Sequence, residues 1–166
     1  MNYFEFYDIK PSFLPDESLI KKKFLELSRK YHPDHFVHTS DAEKEEAETL
    51  ASSNNKAYEV LSNPLLRLKY ILSTYYSLDD EATNALDQDF LMSMMDLHDL
   101  ISEDPIEARK VIDQLKTEWL EAILPSLSTF DPDHIETTQM DKVRDYYFKM
   151  KYVSRLEKNL EGMIEM

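Results

Sequence analysis

The sequence contains no cysteine and only one glycine among its 166 residues. The absence of cysteine excludes disulfides, thiolate zinc sites, cysteine-held iron–sulfur clusters and a cysteine nucleophile, so any part in metal chemistry is indirect. One glycine and seven prolines leave few of the turn signals that an all-β domain requires. The composition therefore predicts an almost entirely helical chain.

Basic residues are scarce as well, since 19 Lys and Arg stand against 33 Asp and Glu and give a formal net charge of -14. This balance argues against a protein that neutralises a phosphate backbone. No apolar run approaches the length of a bilayer, and the start MNYFEFYDIK lacks the basic and apolar regions of a signal peptide. We expect protein partners, no nucleic acid, no membrane and a cytoplasmic location.

Three helices are predicted in the first part of the chain. Asp16 caps the first, and Pro33, which has no amide proton to donate, ends it. The second is predicted over residues 41–61 with Asp41 as its cap, and the third over residues 64–76.

The next stretch, 77–104, holds nine Asp and Glu and no Lys or Arg. We interpret its first part, 77–86, as a surface linker between two domains, 1–76 and 87–166. Pro125 is expected to bend or end a helix of the second domain. The helices predicted there, which would form a three-helix bundle, span 87–102, 104–129 and 132–163.

The first predicted helix ends in the tripeptide His32-Pro33-Asp34, here termed the HPD turn. Taken alone, the tripeptide could be a simple helix stop in which Asp34 caps a neighbouring turn. Pro33 stiffens the turn, however, and holds the imidazole and the carboxylate at a fixed vertex beside a run of positive charge, here termed the basic ridge. The basic ridge consists of Lys21, Lys22, Lys23, Arg29 and Lys30. A carboxylate held on a rigid turn beside the basic ridge is suited to docking onto a protein surface that carries both positive and negative charges.

Two chemical alternatives apply to the same stretch. His32, His35 and His38 lie at spacings of three, but they converge on one ion only in a suitable local conformation, and no fourth ligand is evident. His32 and Asp34 as an acid–base pair would lack a nucleophile, a pocket and a phosphate loop. We predict no metal, no cofactor and no enzymatic activity.

The order of these elements resembles the J-domain over about residues 2–76. The resemblance rests on the aromatic start NYFEFYDI, the HPD turn after Tyr31, and the pattern Asn55-x-x-Tyr58-x-x-Leu61 followed by Pro64. It implies an antiparallel helical hairpin with the HPD turn on its loop, which accelerates ATP hydrolysis by a DnaK/HscA-class chaperone. The implied contacts to that chaperone are Tyr31, the HPD turn and the basic ridge, with Asp34 engaging an arginine. His35 departs from the Lys or Arg that usually follows the turn and makes the vertex less basic.

The segment DQDFLMSMMDLHDLISE, residues 87–103, has more apolar residues than one buried stripe needs. Its core seam on a helix is predicted to be Phe90, Met94, Leu97 and Ile101. The opposite side carries a second set, here termed the apolar–acidic patch, which consists of Leu91, Met92, Met95, Asp96, Asp99 and Glu103. A bundle could bury both sides, but carboxylates are costly to bury without partners, and the pattern is typical of a protein-binding surface.

A J-domain followed by this segment is similar to the HscB family, the co-chaperones of iron–sulfur cluster assembly. The resemblance implies that the second domain binds an IscU-like scaffold protein through the apolar–acidic patch and Phe148. Helical spacing also directs Phe148 away from the seam of the last helix, which is formed by Tyr146, Met150, Val153 and Leu160. The alternative is a J-domain co-chaperone of a general DnaK-type chaperone with a different protein client.

Overall fold

The computed structural model describes residues 2–78 and 86–165 of the chain. In these two ranges there is no β-strand, so the all-α prediction is confirmed. The chain divides into two compact units, Met1–Ile71 and Leu72–Met166, and the predicted linker 77–86 lies largely outside the described residues. The described elements are α1 (Tyr3–Phe6), α2 (Glu17–Lys30), a 3₁₀ turn (Pro33–Phe36), α3 (Asp41–Ser62), α4 (Pro64–Tyr75), α5 (Gln88–Glu103), α6 (Pro105–Ser128) and α7 (Thr137–Ile164).

The helix ends of the first unit follow local signals in the sequence. The Asp16 carboxylate accepts the backbone N–H groups of Ser18 and Leu19, so the predicted cap of α2 is confirmed. The predicted cap of α3 is wrong, because the cap is Ser40 rather than Asp41. The Ser40 hydroxyl accepts the N–H of Glu43 while the Glu43 carboxylate accepts the N–H of Ser40, and this reciprocal pair satisfies two free donors at once.

Helices α2 and α3 form the predicted antiparallel hairpin. The ring of Phe24 stacks on Tyr58 with centroids 4.2 Å apart, and one turn further along α2 the hydroxyl of Ser28 accepts from the amide of Asn54. Helices α2 and α3 run antiparallel. The loop that connects them, which contains the HPD turn, therefore lies at one end of the hairpin. The core of this unit consists of Phe4, Tyr7, Phe13, Ile20, Ala47, Ala57, Leu61, Leu68 and Ile71.

Helices α5, α6 and α7 pack into the predicted bundle around a common core. On α5 the buried residues are Met94, Leu97 and Ile101, with Phe90 partly buried, so the predicted seam is confirmed. The rest of the core is Ala108 and Ile112 from α6 and Val153, Leu156 and Leu160 from α7.

One helix start in the second unit differs from the prediction. Helix α6 does not, since it lies within one residue of the predicted bounds 104–129 and continues through Pro125 rather than ending there. At its end the Thr129 N–H donates to the Pro125 carbonyl at 3.2 Å. The last helix was expected at 132 but begins at Thr137. Asp131 causes the delay, because its carbonyl accepts the His134 N–H at 3.1 Å and its carboxylate accepts the Asp133 N–H at 3.0 Å, which holds these residues in turns.

Candidate functional site

The HPD turn is rigid in its backbone and open in its side chains. His32 has the extended conformation that a following proline requires, with φ -63° and ψ 136°, and its carbonyl accepts the His35 N–H at 3.0 Å. The His32 Nδ1 accepts the backbone N–H of Asp34 at 3.2 Å. Both hydrogen bonds reach across Pro33 to His32, and together they close the turn.

The carboxylate of Asp34 is available to a partner, since this side chain is 87% exposed. Its Oδ2 lies 3.6 Å from the His32 Nδ1, but that nitrogen already accepts the Asp34 N–H, so in the neutral imidazole it has no proton to offer the carboxylate. Among the described residues no Lys or Arg pairs with Asp34. An arginine from another protein could occupy this position without displacing an existing pair.

The basic ridge lies along α2, next to the turn. Lys21, Lys22, Arg29 and Lys30 are exposed and Lys23 is half-buried. None of the five forms an ion pair within the described ranges, 2–78 and 86–165. The Lys30 Nζ lies 5.4 Å from the centre of the Tyr31 ring, which places a cation over an aromatic face at the end of the helix.

The three histidines of this region do not form a ligand set in the structure. The rings of His32 and His35 are 6.4 Å apart between centroids and nearly perpendicular. In the part of the chain that is described, no group of three or more His, Asp or Glu side chains is arranged to hold a metal ion.

A cleft behind the HPD turn was missed from the sequence. It has a volume of about 150 Å³ and lies between Phe36 and Val37 on one side and Ala47 and Ala51 of α3 on the other. The available signal was the pair of alanines one helical turn apart, whose small side chains leave room against the loop. The HPD turn, with its exposed Asp34 carboxylate, therefore lies next to a mainly apolar cleft.

The apolar–acidic patch is on the solvent side of α5. Leu91, Met92 and Met95 are 38%, 58% and 65% exposed, while the seam on the opposite side of the helix is buried. Asp96, Asp99 and Glu103 are exposed beside them. The alternative in which the bundle buries both sides of this helix is therefore wrong.

In the two described ranges, no Lys or Arg forms an ion pair with a carboxylate of the patch. The imidazole Nδ1 of His98 lies 4.0 Å from Asp99 Oδ1. Glu157 of α7 illustrates the contrast, because it is paired with Lys116 at 3.1 Å and with Arg109 at 3.5 Å. The bundle thus satisfies its inner carboxylate and leaves those of the patch free to attract a basic partner.

Phe148 does not join this surface. Its side chain is 4% exposed, and its ring packs against that of Tyr147 with centroids 5.3 Å apart. The expectation that Phe148 points outward is wrong, because its side chain is at least as buried as that of the seam residue Tyr146. Spacing on this helix identified Tyr146, Val153 and Leu160 as buried, but Met150 is only half-buried, and the burial of the neighbouring side with Phe148 was missed.

None of the described helices is long and apolar enough to cross a membrane.

Comparisons with known proteins match both units. A family model described as the DnaJ domain matches residues 2–70, and one described as the HSCB C-terminal oligomerisation domain matches residues 86–161. The co-chaperone protein HscB homolog of Shewanella loihica is 30% identical over 167 residues, which cover 97% of this chain and 96% of the relative. The homolog of Vibrio vulnificus is 29% identical over 164 residues, with 97% and 95% covered.

Solved structures give the same fold. The chaperone HscB from Vibrio cholerae superposes with a TM-score of 0.79 at 23% identity, covering 99% of this chain and 98% of the other. The human co-chaperone protein HscB superposes with a TM-score of 0.84 at 22% identity, covering 97% and 81%. These likenesses confirm the predicted fold of a J-domain followed by a helical bundle.

Proposed function

This chain belongs to the HscB family of co-chaperones, and we propose that it delivers an IscU-like scaffold protein of iron–sulfur cluster assembly to a DnaK/HscA-class chaperone. In this proposal the J-domain, residues 1–76, stimulates the ATPase of the chaperone. The bundle, residues 87–166, binds the scaffold, and residues 77–86 link the two. The chain itself would carry out no reaction and hold no cofactor, and we place it in the cytoplasm with both partners.

The observation that carries the proposal is the exposure of the apolar–acidic patch on a helix whose other side is fully packed. Met92 and Met95 are more than half exposed, although methionine is most often buried. Their flexible side chains adapt to a partner surface, and the carboxylates beside them select a basic one. The pattern fits a protein contact rather than a small-molecule site, because the patch residues are exposed along a single helix.

The chaperone contact is proposed to centre on Asp34. A carboxylate held on a rigid turn loses little conformational freedom when it binds, and its charge-assisted bond to an arginine would fix the orientation of the ATPase domain. The basic ridge would meet acidic groups on the same partner and speed the encounter. Tyr31, which lies under Lys30, would complete this surface.

The experiment is calorimetry with the purified IscU-like scaffold, together with an ATPase assay of the chaperone. Saturable scaffold binding by the full chain, and ATPase stimulation that rises further when the scaffold is present, are the expected results. Stimulation without scaffold binding would refute the scaffold role and favour a co-chaperone with a different client.

A further inference from the structure

The single glycine of the sequence lies within helix α7, at position 162. Its φ is not positive, so the backbone does not require glycine there. A β-carbon at this position would also have no contact within 4 Å outside its own stretch of helix, so packing does not require glycine either. Glycine lowers helix stability relative to alanine, and neither the turn chemistry nor the core explains its presence.

Gly162 lines an open groove between α7 and α5 with a volume of about 450 Å³. His98 and Ser102 form the α5 wall, and Lys158 and Met163 form the α7 wall. The groove is open to solvent, so a side chain of a partner protein could enter it without displacing residues of this chain. A side chain at position 162 would fill part of this space.

The groove continues the exposed row of the apolar–acidic patch. Leu91, Met95, His98 and Ser102 follow one another at spacings of four, three and four, which places them in a single row along α5. The row begins with two exposed apolar residues and ends in the groove. There Met163, which is 42% exposed, supplies a further apolar side chain from α7.

We propose that the groove is a second part of the scaffold-binding surface and receives an apolar side chain of the scaffold protein over Gly162. This inference rests on the proposed function. The charges define the scaffold segment that would fit, because Asp99 and Glu103 border the row on α5 while Lys158 lies across the groove on α7. A segment with basic residues facing α5 and an acidic residue facing Lys158 is complementary to this arrangement.

The test uses tryptophans that fill the groove from either wall. Gly162→Trp fills it from α7 and Ser102→Trp from α5, and each is expected to raise the Kd for the purified IscU-like scaffold about tenfold in calorimetry. Glu161→Trp is the matched control, because it places the same bulk at an exposed position of α7 that does not line the groove, and it is expected to bind like the wild-type chain. Gly162→Ala adds one methyl group to the groove and is expected to raise the Kd by less than Gly162→Trp does.

Wild-type Kd values for Gly162→Trp and Ser102→Trp, in variants with unchanged helical content, would overturn the proposal. Equal weakening by Glu161→Trp would overturn it too, because bulk alone would then explain the loss. If Gly162→Trp does not fold, the Kd of Ser102→Trp for the scaffold tests the proposal by itself.

The two proposals fail in distinguishable ways. A wild-type chain that does not bind the scaffold refutes the proposed function, and the groove proposal with it. A wild-type chain that binds, together with groove variants that bind equally well, refutes the groove proposal alone. Each variant is also expected to stimulate the chaperone ATPase like the wild type when no scaffold is present, since the J-domain is unchanged.

Discussion

The phenol of Tyr7 donates to the side-chain oxygen Oδ1 of Asn54 at 2.8 Å, deep in the first unit. The same hydroxyl lies 3.1 Å from the Asn54 carbonyl oxygen. The Asn54 amide donates in turn to the Phe24 carbonyl and to the Ser28 hydroxyl, both at 3.1 Å. One buried asparagine therefore connects the residue after α1 to α2 and α3, and it holds together the hairpin that presents the HPD turn.

Asn54→Ala is expected to lower the free energy of unfolding of the chain by about 2–4 kcal/mol, because it leaves several buried partners unsatisfied. Urea unfolding followed by circular dichroism measures the loss. Asn55→Ala, at the exposed neighbouring position, is the control and should stay within about 0.5 kcal/mol of the wild type. Equal effects of the two substitutions would contradict the structural role of Asn54.

The unfolding free energy is expected to fall at alkaline pH because of buried phenols. Burial raises the pKa of Tyr7, with a smaller contribution from the nearby Tyr58, and burial also raises the pKa of Tyr146. The folded state holds these protons more tightly than the unfolded chain, whose phenols titrate near pH 10. The stabilisation is therefore complete below about pH 10 and is lost above it, at about 1.4 kcal/mol per pH unit for each phenol. Urea titrations between about pH 9 and 11 should give a shallower slope for Tyr7→Phe, and an unchanged slope would count against this assignment.

Asp34→Asn is expected to reduce ATPase stimulation of the chaperone at least about tenfold, because a charge-assisted bond to an arginine would be lost. The substitution preserves the shape of an exposed side chain, so the fold and scaffold binding should not change. Steady-state ATP turnover measures the first effect and calorimetry the second. Asp41→Asn, another exposed acid of the same unit, serves as the control. Full stimulation by the Asp34 variant would exclude the proposed contact.

Leu91, Met92 and Met95 changed together to Ala are expected to raise the Kd for the scaffold at least about a hundredfold. These side chains lie outside the bundle core, so thermal unfolding should change little. Leu120 and Leu124 on α6 are exposed to about the same degree as Leu91, and their replacement by Ala provides a control with wild-type binding expected. Scaffold binding that survives the triple substitution would place the contact elsewhere.

Neutralising the acids of the patch should alter the salt dependence of scaffold binding. Asp96→Asn, Asp99→Asn and Glu103→Gln together are expected to slow association at low ionic strength and to flatten its response to salt, since steering by exposed charges is screened. Stopped-flow association rates at about 0.05 and 0.5 M salt test this. The control neutralises Asp113 and Glu121, two exposed acids of α6. A salt response like that of the wild type would show that the acids do not face the scaffold.

Local sequence signals predicted most of the fold. Asp16 and Pro33 set the ends of α2 because capping and the missing amide proton act within a few residues. The seam of α5 followed from periodicity alone. The errors arose where two local signals competed, as when Ser40 and not Asp41 capped α3, or where turns formed around Asp131 and delayed α7.

The candidate sites also separate into those that local sequence signals located and one residue that they placed wrongly. The HPD turn and the exposed side of α5 could be located from the sequence because each depends on one turn or one helix. Phe148 could not, because its burial depends on what packs around it and not on its spacing along α7.

The sequence by itself determined the helical class, the position of the HPD turn, the charge of the ridge and the apolar excess of α5, since these depend on composition and on residues within a few positions of one another. Only the tertiary structure decided that Asn54 joins α2 and α3, that Phe148 is covered, and that Gly162 faces a groove beside Ser102. The physical reason is that burial and groove formation depend on which distant segment lies against a helix face. Helical periodicity fixes the direction of a side chain but not its neighbours.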